Sequence, residues 1–114
     1  MADIIKFSYS QGVLNISLPQ YVIFETSELF NYLASAILKV KNYPLVAIEV
    51  NTEVLNSIAI ATLISLSQET EIEVVCYNLS EAAERKLLAM KLISPDIIIT
   101  AKTYDEAVKF LETA

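Results

Sequence analysis

The chain has 114 residues, enough for one hydrophobic core and too few for two, and 54% of them are hydrophobic against 19% charged, far from the composition of disordered chains. A single glycine, Gly12, and the absence of histidine exclude glycine-rich phosphate loops, Ser-His-Asp triads and His-ligated metal centres, so no catalytic, cofactor or metal-binding residue is expected. Eight basic residues against fourteen acidic ones give a net charge of −6, which argues against a nucleic-acid or anionic-membrane surface and for protein partners.

Taken in chain order, residues 4–10 and 13–18 alternate as two short strands around Gln11-Gly12, where glycine supplies the positive φ of a tight hairpin turn. Apolar residues then recur at Leu29, Leu33, Ile37 and Val40, a stripe that predicts a first helix over 27–41 with Thr26 or Ser27 as its cap. Pro44 stops that helix. Residues 45–50, Leu-Val-Ala-Ile-Glu-Val, form the nearly continuous apolar run of a central parallel strand buried on both faces. A second helix is predicted over 54–68, a strand over 72–77, a helix over 80–91, a strand over 96–100 and a last helix over 103–112. The last begins with Thr103-Tyr104-Asp105-Glu106, a capping box.

This order, β-β-α-β-α-β-α-β-α, predicts one α/β domain over 1–114: a mixed sheet made of an N-terminal hairpin and parallel strands, with about four helices. Binding chemistry in such a sheet belongs to loops leaving the carboxyl ends of strands, which selects residues 52–57 and 78–80. The second helix stands out because residues 54–68 carry no charge. At 100° per residue Ala59, Ile60, Leu63, Ile64 and Leu66 face inward, and Ile58, Thr62, Ser65 and Glu69 face outward. Asn56 and Ser57 at its start are good cap residues. A helix start at the end of a central strand also presents amides and a partial positive charge to a docking partner, and it favours a phosphoserine electrostatically.

The remaining candidates read as structure. Cys76 lies in an apolar strand run, has no second cysteine to pair with and has no basic neighbour or anion-cradling loop, which fits a buried thiol in a reducing cytosol. Glu69, Glu71 and Glu73 read as solvated carboxylates, Glu81, Glu84, Arg85 and Lys86 as a wet face of the third helix with Glu81 and Arg85 as an i,i+4 pair, and Tyr21, Tyr43 and Tyr104 as packing lids at element edges. Asp3 stands where a signal peptide would be basic, and the uncharged stretch 54–68 falls short of the roughly 20 residues of a membrane span, so a cytoplasmic protein is expected.

The element order, together with Thr26-Ser27-Glu28-Leu29 entering the first helix, the strand 46–50, and Leu55-Asn56-Ser57-Ile58-Ala59 opening a helix of small residues, resembles the STAS family of anti-sigma factor antagonists over almost the whole chain. The resemblance implies a non-enzymatic bacterial regulator of transcription that docks an anti-sigma factor or related serine kinase, with phosphorylation breaking the complex. The family's Asp-Ser-Ser-Gly maps onto Asn56, Ser57, Ile58 and Ala59. Its acceptor position is therefore Ile58, which has no hydroxyl, so the switch is either absent or moved to Ser57. Its Gly-x-Leu-Asp becomes Pro19-Gln20-Tyr21-Val22, without the aspartate. Asn56, Ser57, Ile58 and Thr62 are thus the expected partner-binding residues, and Ser57 is the phosphorylation candidate. The alternative implied by the same resemblance is a small-ligand or assembly module of a sensory or transport system, marked by a retained ligand or a stable homodimer.

Overall fold

A computed structural model describes residues 4–22, 24–40, 45–69 and 72–112. Asp3, Tyr43, Pro44 and Glu71 lie outside the described residues. Strands β1 (Lys6–Ser10) and β2 (Val13–Ser17) pair antiparallel with Ser10 opposite Val13. Both residues of the connecting turn have positive φ, 55° at Gln11 and 79° at Gly12. This is the mirror-image turn whose twist matches that of the flanking strands.

The chain then makes β3 (Tyr21–Val22), α1 (Phe24–Val40), β4 (Leu45–Glu49), β5 (Val54–Leu55), α2 (Ser57–Ser67), β6 (Glu73–Tyr77), α3 (Glu81–Ala89), β7 (Thr100–Ala101) and α4 (Tyr104–Glu112). The main sheet runs β1-β2-β4-β6-β7, and every pairing after the hairpin is parallel. The expected mixed α/β sheet with four helices is what forms.

Alternation along the strands sorts two cores. Leu14 and Ile16, Val46 and Ile48, and Val74 and Cys76 project to one face, where they meet Phe30, Ala34 and Ile37 of α1, Leu63 and Leu66 of α2, and Ala83 and Leu87 of α3. Val13, Ala47, Val75 and Tyr77 project to the other face, against Ala107 and Leu111 of α4. The central strand is buried on both faces as its composition requires, with Val46, Ala47 and Ile48 all inaccessible.

Four local expectations are corrected. The first helix starts at Phe24, so Thr26 and Ser27 are not its caps; they lie inside its first turn and are buried. Val54 and Leu55 do not begin the second helix. They pair instead with Tyr21 and Val22 as a small parallel ribbon, and Asn56 then breaks the strand by capping α2. The strand expected over 96–100 shrinks to Thr100–Ala101 plus an isolated Ile93–Ile98 bridge, because residues 94–97 form a turn closed by the Ile97 amide on the Ser94 carbonyl. Tyr21 is no lid: it is 40% exposed, whereas Tyr104 packs edge-on against Tyr77 with ring centroids 5.5 Å apart.

The capping box forms in a variant way. Thr103 Oγ1 accepts from the Glu106 amide at 3.2 Å, and the Glu106 carboxylate reaches back one residue further, to the Lys102 amide at 3.0 Å.

Candidate functional site

The candidate site is the entry to α2, beyond the carboxyl end of the central strand β4. Thr52 anchors its approach: this side chain is fully buried and its Oγ1 donates to the Pro19 carbonyl at 2.6 Å. The Glu53 amide donates to the Gln20 carbonyl at 2.7 Å. Ser80, the N-cap of α3, accepts from the Ala83 amide and donates through its hydroxyl to the Thr52 carbonyl. From the same helix the Lys86 ammonium donates to the Leu55 carbonyl at 2.6 Å. The main chain entering α2 is therefore held by the β2–β3 connection on one side and by α3 on the other.

Asn56 ends this approach with extended dihedrals, φ −86° and ψ 172°, and its Oδ1 accepts from the Ala59 amide at 2.9 Å. Its Nδ2 donates to Ser27 Oγ of α1 at 3.1 Å. One amide side chain thus satisfies an orphan helix donor and ties two helices together, which is why Ser27 is buried without being a cap. Ser57, the first residue of α2, is exposed, and Ile58 is half-buried. No acidic residue occupies the first turn of α2 and no basic residue the last.

Thr62 departs from its expected outward position and is only 3% exposed. Its hydroxyl donates back to the Ile58 carbonyl at 2.9 Å and lies 3.4 Å from Asn31 Oδ1 on α1. The helical wheel placed it outward because the wheel takes the sheet as the only cover. Here α1 lies alongside α2 and covers a second flank, so the exposed stripe is narrower than a one-sided helix would show. Asn56, Ser57 and Ile58 remain together at the helix start.

Next to this start, Tyr21 and Val54 are register partners of the small ribbon and are 40% and 46% exposed. An open groove of about 500 Å³ runs from Glu53 to the first turns of α3, lined by Ser80, Glu81, Ala82 and Arg85. Along its α3 wall Arg85 pairs with Glu81 at 2.6 Å, the expected i,i+4 pair. An apolar concavity of about 310 Å³ lies elsewhere, between the segment 93–100 and Phe110 of α4.

The sequence did not point to Lys86, Ser27 or Asn31 as parts of this assembly. Ser80 carried a signal, since a helix was expected to start there. For Lys86 no local pattern exists, because its acceptor is a carbonyl 31 residues away. Cys76 is fully buried and its thiol is pushed up to about 12 by burial alone, the environment of an inert core thiol. Among the described residues no cluster of His, Cys, Asp or Glu has the arrangement of a metal site, and no helix is long and apolar enough to cross a membrane.

No family model and no curated protein matches the sequence. Solved structures do match the fold. An anti-sigma factor antagonist from Mycobacterium paratuberculosis superposes with a TM-score of 0.81 at 16% identity, over 96% of this chain and 93% of that one. A candidate anti-sigma factor antagonist from Thermotoga maritima superposes with a TM-score of 0.79, also at 16% identity, over 95% of this chain and 94% of the other. With a shared architecture over nearly the full length of both chains, this protein has the STAS-like fold of the anti-sigma factor antagonists.

Proposed function

We propose that the chain, acting as one unit over 1–114, is a non-enzymatic cytoplasmic regulator that binds a protein partner through the start of α2, in the manner of an anti-sigma factor antagonist. The partner class is an anti-sigma factor or related serine kinase. The observation that carries this reading is the entry to an uncharged helix, where exposed Ser57 and half-buried Ile58 sit on a main chain fixed by hydrogen bonds from three surrounding segments. A rigid apolar and hydroxyl-bearing surface loses little conformational entropy on docking. The fold shared with antagonist structures supports the same reading.

Asn56, Ser57 and Ile58 form the proposed contact, with Asn56 acting mainly by holding the other two. Thr62 supports the surface from beneath. The test is calorimetric titration of the chain against a purified anti-sigma factor. Ile58→Glu and Ser57→Arg are expected to weaken binding at least tenfold, the scale of a lost interface anchor; unchanged affinity in both overturns this surface. Ser57 is the proposed phosphorylation position, because its hydroxyl is exposed at the positive end of α2. Incubation with the kinase and ATP followed by peptide mass spectrometry should place one phosphate on Ser57. A phosphate at another residue defeats that assignment.

The apolar concavity beside Phe110 supports a second reading, a small-ligand module. Native mass spectrometry of the purified chain tests it: a retained small molecule supports the ligand reading, and a clean apo mass counts against it.

A further inference from the structure

We propose that Lys86 is a positioning residue of the docking surface, an ammonium on α3 that fixes the main chain at Leu55 and thereby holds the first turn of α2 in place. The inference rests on the docking reading only for its consequence in partner binding; the bracing itself is a property of the free chain. Leu55 is buried, and its carbonyl immediately precedes Asn56, the cap of α2. The helix uses the Asn56 carbonyl as its first acceptor, for the Ile60 amide at 3.1 Å, so the Leu55 carbonyl lies outside the helical ladder. Lys86 Nζ reaches it at 2.6 Å, a charge-assisted bond of the stronger kind.

The electrostatics make this placement informative. A cation beside a helix N-terminus opposes the helix dipole, so Lys86 is not there to stabilise α2 by charge. Its neighbours on α3 that serve the core are Ala83 and Leu87, both buried, whereas Lys86 itself is exposed and spans outward to Leu55. The bond acts with the Ser80 hydroxyl on Thr52, so α3 grips both ends of the segment 52–55. The opposite side of the same segment is held by Pro19 and Gln20, and Ser27 holds the Asn56 side chain that follows it. Removing Lys86 leaves the β2–β3 side and the Ser80 bond to Thr52 intact and frees only the grip of α3 on Leu55. The outcome is local loosening at the helix start with no loss of the core.

Amide hydrogen exchange on the free chain, read residue by residue, tests this with Lys86→Met, which keeps the apolar stem, and Lys86→Arg, which keeps charge and donors. In Lys86→Met the Ala59 and Ile60 amides should exchange roughly tenfold faster, the ratio carried by a lost charge-assisted bond, while the β4 and β6 amides keep their rates. Lys86→Arg should return Ala59 and Ile60 to within about threefold of the parent, the range expected of a retained donor. Unchanged exchange at Ala59 in Lys86→Met overturns the proposal, as does an equal acceleration at every amide or a failure of Lys86→Arg to restore protection. No binding partner enters these measurements, so their failure would leave the docking surface itself standing or falling on the titrations of Ile58→Glu and Ser57→Arg.

Discussion

Asn56 carries more of the site than its size suggests, because its two amide atoms serve different helices. Oδ1 caps α2 through the Ala59 amide and Nδ2 bonds Ser27 on α1. Asn56→Ala removes both and should lower the unfolding free energy by about 1 to 3 kcal/mol, the sum of a lost cap and a lost side-chain bond. Asn56→Asp keeps the cap and places a negative charge at the positive end of α2, so it should fall within about 1 kcal/mol of the parent. Urea unfolding of the three chains gives the order, and equal losses for Ala and Asp would show that the cap is not what matters. The hairpin turn offers a complementary case. Gln11 sits at φ 55°, in the left-handed region that costs a side chain other than Asn or Asp, while a Cβ at Gly12 would meet nothing within 4 Å. Gln11→Asn should therefore stabilise by a few tenths of a kcal/mol, and Gly12→Ala should destabilise by about 1 kcal/mol through backbone strain alone. Thermal midpoints distinguish the two signs.

Among the elements, α4 stands apart, because it covers the second face of the sheet and the other three helices share the first. Leu111 is its deepest large side chain, 2% exposed against Val13, Ala47 and Val75. Leu111→Ala should cost about 2 to 4 kcal/mol, and dye binding to the uncovered sheet face should rise before global unfolding. An unfolding curve that shifts with no dye signal would mean that α4 stays docked without Leu111. This helix was legible from the sequence: its capping box depends on residues close together in the chain, and local rules reach that far. The parallel strands β4 and β6 were legible for the same reason, since a strand buried in the middle of the sheet is written in its own composition, whereas β7 was expected over 96–100 and forms only at Thr100–Ala101. The ribbon of Tyr21–Val22 with Val54–Leu55 was not, because two-residue strands hold no period and acquire their meaning from a partner over thirty positions away. The site divides along the same line. Asn56 and Ser57 at a helix start could be found from residue types, but the burial of Thr62 follows from α1 lying against α2, and the Lys86 brace follows from where α3 lands. Residue types locate a helix start, and tertiary packing decides which of its side chains a partner can touch.

At the scale of the whole molecule, the sheet holds two protonated groups whose ionisation the fold resists, one on each face. Cys76 on the α1–α2 face has its thiol pushed up to about 12, from an ordinary 9.0, by burial. Tyr77, next in the strand and turned toward α4, is raised from 10.0 first by burial and then by the nearby Glu49 carboxylate, although its hydroxyl donates to Asn15 Oδ1 at 2.7 Å. In both cases the folded state keeps a proton that the unfolded chain releases more readily. Stability is therefore fully present below the unfolded values and falls as pH rises through them toward the folded ones. For Cys76 that window runs from about pH 9 to about pH 12, with a slope approaching about 1.4 kcal/mol per pH unit, and Tyr77 adds to the slope above pH 10. The window lies above neutrality, so this coupling leaves the protein's stability near pH 7 untouched. Denaturant unfolding repeated from pH 8 to pH 11 should show the decline, and Cys76→Val should make it shallower between pH 9 and pH 10, where the thiol accounts for most of the loss. The comparison uses slopes and not absolute stabilities, because the added methyl volume of valine shifts the curve as a whole. An identical slope in Cys76→Val would mean that the thiol ionises without opening the sheet, and that the strand beneath α2 is more accessible to hydroxide than its burial implies.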